Sequence, residues 1–120
     1  MKKKIEYSFD DEPISKFCYD LDTQKIEINF RGYYDLIKDV YINASCIWVL
    51  KDWEYAKIKV GDDPNRYELA NHLGIFSLIL YMKYNDDQEL EMLVITVDNK
   101  YITLIFKEPK LSLKINNNIL

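Results

Sequence analysis

The chain has 120 residues, a formal net charge of −4 at pH 7, a pI near 5.0, 48% hydrophobic residues and 30% charged residues. This length and composition predict a single globular domain over residues 1–120, with enough apolar side chains for a core of its own. The acidic balance argues against nucleic acid as the main partner, because phosphate backbones require a clustered basic face and the lysines are scattered singly along the sequence.

The first third of the chain predicts short antiparallel strands. Residues 5–9 alternate between apolar and polar side chains, which is typical of a strand with one buried face. Residues 17–21 and 26–30 show the same alternation on either side of a polar turn. Pairing Leu21 with Ile26 places the apolar side chains of both strands on one face, so we expect a hairpin with a four-residue loop.

The middle of the chain contains a dense apolar strand from Ala44 to Leu50. Two interpretations of the following residues remain open. Lys51 and Asp52 form a tight turn from which residues 53–60 return, or the whole stretch is one long bent strand that carries both tryptophans.

The only helix signal follows a break at residues 61–64. Asp63 is the expected N-cap, Pro64 occupies the first helical position and Gly74 lies beyond the end. The pattern predicts at most one short helix near residues 63–73, whose buried face would contain Tyr67, Ala70 and Leu73.

The last third predicts a meander. Residues 75–84, 90–97 and 101–107 are strands, joined by a turn at 85–88 and a two-residue turn at Asp98–Asn99. Both faces of the second hairpin are apolar, which places it at the centre of a sheet. The two-residue turn predicts one face made of Leu93, Ile95 and Val97 beside Ile102 and Leu104.

Residues 111–115 predict a final edge strand after Pro109. The expected fold class is therefore mainly β: an antiparallel β-sandwich or a strongly curved antiparallel sheet.

The sequence predicts a cytoplasmic protein. Lys2, Lys3 and Lys4 resemble the charged start of a signal peptide, but no apolar core or cleavage site follows them. No stretch reaches the roughly 20 apolar residues that a membrane helix needs. In a reducing compartment we expect Cys18 and Cys46 to be small buried side chains and not a disulfide.

No catalytic, cofactor or metal motif stands out. The chain has one histidine, three glycines and two cysteines, whereas proton, phosphate or hydride transfer usually needs a histidine, a paired-carboxylate pocket, a glycine-rich phosphate loop or a metal cluster. We expect His72 to be a capped or surface histidine. The prediction is a protein that is not an enzyme and that has no cofactor.

Acidic residues gather at the predicted turns, including Asp62–Asp63 and Asp86–Asp87, and Glu89 and Glu91 extend the second group. Turn chemistry and solubility explain such residues by themselves, because an Asp carboxylate accepts hydrogen bonds from nearby amides. The alternative is that two or more groups converge into a negative patch that binds a cationic partner. A catalytic carboxylate pair is a third interpretation.

Trp53 and Tyr55 lie two residues apart beside Asp52. Exposed aromatic residues next to acidic ones are typical of interface hot spots. Packing in the sandwich core remains the competing interpretation for each ring. The candidate partner-binding residues are Asp86, Asp87, Glu89, Glu91, Asp62, Asp63, Trp53 and Tyr55.

One region is similar to a known family. Residues 45–57 form an apolar strand that runs into Asp52-Trp53-x-x-Ala56, and the segments 73–80 and 98–109 follow at suitable intervals. Over about residues 40–113 this pattern resembles the small, acidic, β-rich immunity proteins of bacterial polymorphic toxin and contact-dependent growth inhibition systems.

The resemblance implies a protein that binds and neutralises a cognate toxin domain. The acidic charge of the chain suggests a cationic nuclease as the target, because carboxylates placed where phosphates would bind can block the active-site cleft of the toxin. The alternative function is a small-ligand or carbohydrate-binding β module, in which Trp48, Trp53 and tyrosines stack on the ligand.

Overall fold

The computed structural model describes residues 4–115, apart from the side chains of Asn71 and His72. Nearly all of its regular structure is β. The elements are β1 Tyr7–Ser8, β2 Ile14–Asp20, β3 Lys25–Phe30, β4 Tyr33–Asp35, β5 Val40–Ile42, β6 Cys46–Lys51, β7 Tyr55–Val60, β8 Tyr67–Glu68, α1 Leu69–His72, β9 Phe76–Tyr84, β10 Leu90–Thr96, β11 Tyr101–Lys107 and β12 Lys110–Ile115.

The strands form three antiparallel sheets. A five-stranded sheet has the order β8-β7-β11-β10-β9, a four-stranded sheet has the order β12-β6-β3-β2, and a small sheet has the order β1-β4-β5. The two larger sheets share one hydrophobic core, as expected for a β-sandwich. The predicted mainly β fold class is confirmed.

Aromatic contacts join the sheets across the core. Phe17 of β2 stacks on Phe76 of β9, with ring centroids 4.1 Å apart, so the four-stranded and five-stranded sheets meet there. Phe9, which follows β1, stacks on Phe30 of β3 at 4.5 Å. Both Phe9 and Phe30 are buried, and this pair attaches the small sheet to the core.

The first hairpin differs in register from the predicted one. Tyr19, and not Leu21, pairs with Ile26. The Asp20 carboxylate accepts a hydrogen bond from the backbone N–H of Asp22 at 3.1 Å, so the turn begins earlier than the apolar pattern indicates. The loop still has four residues, and a shift of two keeps the apolar side chains on the same face.

The hairpin of β10 and β11 has a loop of three residues, 97–99, where the sequence predicts a two-residue turn. Asn99 adopts the left-handed conformation with φ 63°. The different loop changes the register, so Val94 lies opposite Ile102 and is buried, whereas Val97 is 63% exposed. The predicted facing set is therefore wrong. The predicted central position of the hairpin in its sheet is confirmed.

The chain passes from one sheet to the other between β6 and β7, and these two strands do not pair. Asp52 has φ 52° at the change of direction, and the Glu54 N–H donates to the Lys107 carbonyl at 2.8 Å in the new sheet. The predicted tight turn with a returning strand is wrong. The alternative, one bent stretch with both tryptophans, is closer to the structure.

The helix is shorter than predicted and begins later. Asp63 is not its N-cap, because the Asp63 side chain accepts hydrogen bonds from the Asn65 N–H at 2.9 Å and the Tyr67 hydroxyl at 2.5 Å. Tyr67 belongs to β8 and pairs with β7. Leu69 is the buried helical residue and Ala70 is exposed, so the predicted buried face is wrong.

Three further predictions concern the last strand and the two cysteines, all in the four-stranded sheet. Strand β12 lies at the edge of the four-stranded sheet, which confirms the predicted final edge strand. Cys46 is buried, and burial raises the pKa of its thiol to about 11. Cys18 is exposed because it lies on the outward face of edge strand β2, so its predicted burial is wrong.

We predict that Ile58→Ala lowers the free energy of unfolding by about 2–5 kcal/mol, because Ile58 is fully buried at the centre of the core. The control is Lys59→Ala on the opposite face of the same strand, which should change stability by less than about 0.5 kcal/mol. Urea denaturation measures both. Equal losses for the two variants would contradict the assignment of the faces of β7.

Candidate partner-binding surface

The two acidic turns of the candidate site lie at opposite ends of the five-stranded sheet. Asp62 follows the end of β7, which lies beside the start of β11. Asp86 and Asp87 precede β10, whose first residue lies beside the end of β11. These two groups therefore do not form one patch, contrary to one of the sequence-based hypotheses.

Three separate acidic stretches meet at one end of this sheet, which we call the acidic end. It consists of the starts of β7 and β10 and the ends of β9 and β11. The backbone N–H of Glu54 donates a hydrogen bond to the carbonyl of Lys107, the last residue of β11, which places Glu54 at this end. Glu108 is the next residue after Lys107. Its carboxylates are Glu54, Asp86, Asp87, Glu91 and Glu108, all exposed except the half-buried Glu91.

The turn of the acidic end is built by Asn85. The Asn85 side-chain oxygen accepts hydrogen bonds from the N–H groups of Asp87 at 3.0 Å and Glu89 at 2.9 Å. The backbone of Asn85 also donates to the Glu89 carbonyl at 2.9 Å. Since Asn85 satisfies the backbone groups of the turn, the side chains of Asp86 and Asp87 remain exposed to solvent.

Glu89 is the centre of a buried polar cluster under the turn. Its side chain is only 2% exposed. The Arg66 guanidinium donates to both carboxylate oxygens, at 3.2 and 3.3 Å. Asn85 donates to the same carboxylate at 2.9 Å, and the Tyr55 hydroxyl donates to it as well. Glu89 is thus a structural residue, and its charge is not offered to a partner.

These contacts determine the ionisation of Glu89. Burial alone would raise the pKa of Glu89, but the hydrogen bonds from Tyr55, Asn85 and Arg66 and the charge of Arg66 lower its pKa to about 2, from an ordinary value of 4.5. The hydrogen bond to Glu89 likewise raises the pKa of the Tyr55 hydroxyl. The cluster therefore contains a carboxylate and a neutral phenol at pH 7.

The cluster joins parts of the chain that are distant in sequence. Tyr55 begins β7, Arg66 precedes β8, and Asn85 and Glu89 flank the turn between β9 and β10. Four backbone segments are therefore fixed around one carboxylate, and the exposed acids above them are held on a rigid support.

Trp53 does not belong to the exposed surface. It is buried, and its ring lies against Phe106 with centroids 5.1 Å apart. Core packing is thus the correct interpretation of Trp53. Tyr55 is partly exposed and lines an open cleft of about 340 Å³ together with Glu54 and Glu68.

Of the predicted residues, Asp86, Asp87, Glu89, Glu91 and Tyr55 lie at this end of the sheet, although the sequence pattern linked Tyr55 to Trp53 and not to these acids. Arg66, Glu54 and Glu108 were not among the predicted residues. Arg66 is one of only two arginines, but the acids near it in the sequence are Asp62, Asp63 and Glu68, so its pairing with Glu89 has no local signal. Glu54 and Glu108 could have been added only from the pairing of β7 with β11.

Two groups of exposed apolar side chains lie outside the acidic end. At the opposite end of the sheet, the Val97 N–H donates to the Ile75 carbonyl at 2.9 Å, and both side chains are exposed together with that of Tyr101. The turn between β4 and β5 exposes Leu36 and Ile37. The sequence pattern did not identify either group.

No group of three or more His, Cys, Asp or Glu side chains that could hold a metal ion occurs among the described residues. The His72 side chain, predicted to lie at the surface or at a cap, is outside the described part of the structure. Within that same part, no helix is long and apolar enough to cross a membrane.

No protein-family model, curated protein or solved structure matches the chain.

We predict that the free energy of unfolding falls as the pH is lowered from about 4.5 to about 2. A carboxylate whose folded pKa is depressed contributes stability above its unfolded pKa and loses it as the pH falls through the folded value. The difference for Glu89 corresponds to about 3 kcal/mol. Denaturant titrations at a series of pH values measure it.

Glu89→Gln should remove most of this pH dependence and destabilise the protein at pH 7 by about 3–5 kcal/mol, because Arg66 loses its buried counter-charge. The matched control is Glu91→Gln, which makes the same change in a half-buried carboxylate that accepts a hydrogen bond from Asn85 at 3.2 Å and forms no ion pair with a described residue. An unchanged acid transition in Glu89→Gln would contradict this role.

Proposed function

We propose that this protein is an immunity protein that binds a cationic toxin domain, with a nuclease as the expected target, through its acidic end. The observation that carries the proposal is the meeting of Glu54, Asp86, Asp87 and Glu108 at one end of the five-stranded sheet. The resemblance of residues 40–113 to small β-rich immunity proteins points to the same role.

The chemistry of the acidic end suits a cationic cleft. A nuclease binds phosphates with lysine and arginine side chains, and carboxylates presented at similar positions compete for them. The charge of Glu89 is already neutralised by Arg66, so the negative charge at the surface lies on the exposed acids. Complementary charge also accelerates association by electrostatic steering.

Rigidity supports the same proposal. Immobilising a flexible loop on binding costs free energy, and a preorganised surface avoids that cost. Asn85 and the Glu89 cluster hold the turn through side-chain and backbone hydrogen bonds before any partner binds. Tyr55 adds a partly exposed aromatic ring beside the acids, which is a common residue at interface hot spots.

We predict that Asp86→Lys/Asp87→Lys weakens binding to the toxin domain encoded beside this gene by about 1–3 kcal/mol, and by more if the acids meet a buried arginine or lysine. Wild-type association should slow as salt is raised, because screening limits the reach of charge to about 8 Å at physiological ionic strength. Surface plasmon resonance and protection of co-expressing cells measure these effects.

The single variants Asp86→Lys and Asp62→Lys form a matched pair of exposed turn residues at opposite ends of the sheet. Both should leave the melting temperature nearly unchanged, since exposed charges contribute little to stability. Only Asp86→Lys should weaken binding. A larger effect from Asp62→Lys, or an affinity independent of both variants and of salt, would contradict the proposal.

A small-ligand-binding module is the second candidate function, and one observation favours it. The indole N–H of Trp48 is buried and has no hydrogen-bond partner among the described residues. Trp48 also lines a cleft of about 260 Å³ between residues 4–7 and β12. Both Trp48 and Trp53 are buried, so an open ring face for stacking on a sugar is lacking, and the ligand would have to enter this cleft.

Trp48→Phe tests the second candidate, because it removes the donor and keeps an aromatic ring. If the cleft holds a ligand with a hydrogen-bond acceptor, native mass spectrometry of wild-type protein should show an added mass that Trp48→Phe loses. If no ligand binds, only the apo mass appears. The melting temperature of Trp48→Phe is not a test of binding, because this substitution removes a donor that forms no hydrogen bond with a described residue.

A further inference from the structure

The strand pairing of the four-stranded sheet collects lysines that are far apart in the sequence. Lys25 of β3 pairs directly with Lys51 of β6, and Lys51 pairs on its other side with Lys110 of β12. Neighbouring strands are about 4.8 Å apart, so the three residues form a row across the sheet. Their sequence neighbours Ile26 and Leu50 are fully buried, so the row lies on the outward face.

Two more lysines lie on the same face. Lys16 pairs with Asn29, Asn29 pairs with Ile47, and Ile47 pairs with Lys114, which forms a second row four residues along the strands. We call this surface the lysine face. It contains Lys16, Lys25, Lys51, Lys110 and Lys114.

The acids of the lysine face do not balance its positive charge. Glu27 lies 3.4 Å from Lys25, and Asp20 pairs in register with Lys25 at the end of the row. Asp52, at the end of β6, lies 3.8 Å from Lys110. Lys51 at the centre forms no ion pair with a described residue. The lysine face therefore has five lysines against three acids, on a chain with net charge −4.

This arrangement lowers the stability of the free protein, because like charges directly opposite each other on neighbouring strands destabilise a sheet. Lys51 has a lysine opposite it on both sides. The repulsion is relieved when an anionic group approaches from outside. An exposed row of this kind is thus complementary to closely spaced negative charges.

We propose that the lysine face binds an acidic peptide segment of a partner protein. Carboxylates on a peptide can pair with the row of Lys25, Lys51 and Lys110, while the embedded Glu27 accepts a cation of the partner. Lys51 and Lys110 are exposed and Lys25 is half-buried, so the row is accessible from outside.

The surroundings of the row favour a short acidic segment over nucleic acid. The row is bounded by Asp20 at one end, and Asp52 lies beside Lys110 at the other. An extended phosphate backbone is longer than the row and would have to pass over these acids, whereas a short run of acidic residues needs to reach no further than the three lysines. The outward positions of these strands also contain no arginine, the side chain suited to bidentate phosphate contacts. They contain no Tyr or Phe either, so nucleic-acid bases would have no aromatic ring to stack on.

The proposal does not depend on the toxin-binding role. The lysine face lies on the four-stranded sheet and the acidic end lies at the end of the five-stranded sheet. The two surfaces adjoin at Glu54 and Glu108, whereas Asp86 and Asp87 precede β10, which does not pair with the four-stranded sheet. Loss of toxin binding in Asp86→Lys/Asp87→Lys tests one surface and leaves the other unaffected.

The test uses the full chain, a hexaglutamate peptide and a 12-base-pair DNA duplex as probes. Amide chemical shifts in a ¹⁵N-labelled sample should change saturably on addition of the peptide at low salt, with the changes centred on Lys25, Lys51 and Lys110. Lys51→Glu should weaken this binding by about tenfold or more, because it replaces attraction by repulsion.

The matched control is Lys59→Glu, the same charge reversal on the outward face of the other sheet, which should leave peptide binding unchanged. Lys51→Glu should also keep or raise the melting temperature, because a glutamate between Lys25 and Lys110 replaces two repulsive pairs by attractive ones. A loss of binding with retained stability separates recognition from folding.

Three results would overturn the proposal. They are no saturable shift with the peptide, equal weakening by Lys51→Glu and Lys59→Glu, or tighter binding of the duplex than of the peptide with the same dependence on Lys51. The last result would assign the lysine face to nucleic acid.

Discussion

Side chains of a β-strand point alternately to its two faces, and this alternation governs most of the molecule. It directs Ile26, Ile28 and Phe30 into the core and leaves the residues between them on the surface. Because the rule acts on every strand at once, it also decides which surface charges become neighbours. The lysine face is the outward counterpart of the same pattern that builds the core.

The buried carboxylate of Glu89 imposes a second constraint. A charge taken out of water is tolerated only when other groups replace its hydration, and here Tyr55, Asn85 and Arg66 do so. The need for those partners fixes the segment before β8 against the five-stranded sheet. The exposed acids above Glu89 therefore belong to a surface whose shape depends on a charge that is itself buried.

The sequence was sufficient for the fold class, the central β10–β11 hairpin and the final edge strand, because alternation and turn residues are local signals. Registers were less predictable. The loop at residues 97–99 differs by one residue from the predicted turn, and that difference exchanges the faces of β10 relative to β11. The pairing of distant strands, such as β6 with β12, is not determined by any local sequence pattern. For this reason neither the lysine face nor the positions of Glu54 and Glu108 could be predicted from the sequence.

The pairing of β6 with β12 also has a consequence for the order of folding. Strand β6 can pair with β12 only after residues 110–115 have been synthesised. In the same way, β7 can pair with β11 only after residues 101–107 have been synthesised. Contacts between segments so far apart form slowly, because a long loop must close first. During translation the emerging chain therefore exposes unpaired strand edges until residues 110–115 have left the ribosome, and in that period it is most prone to aggregate.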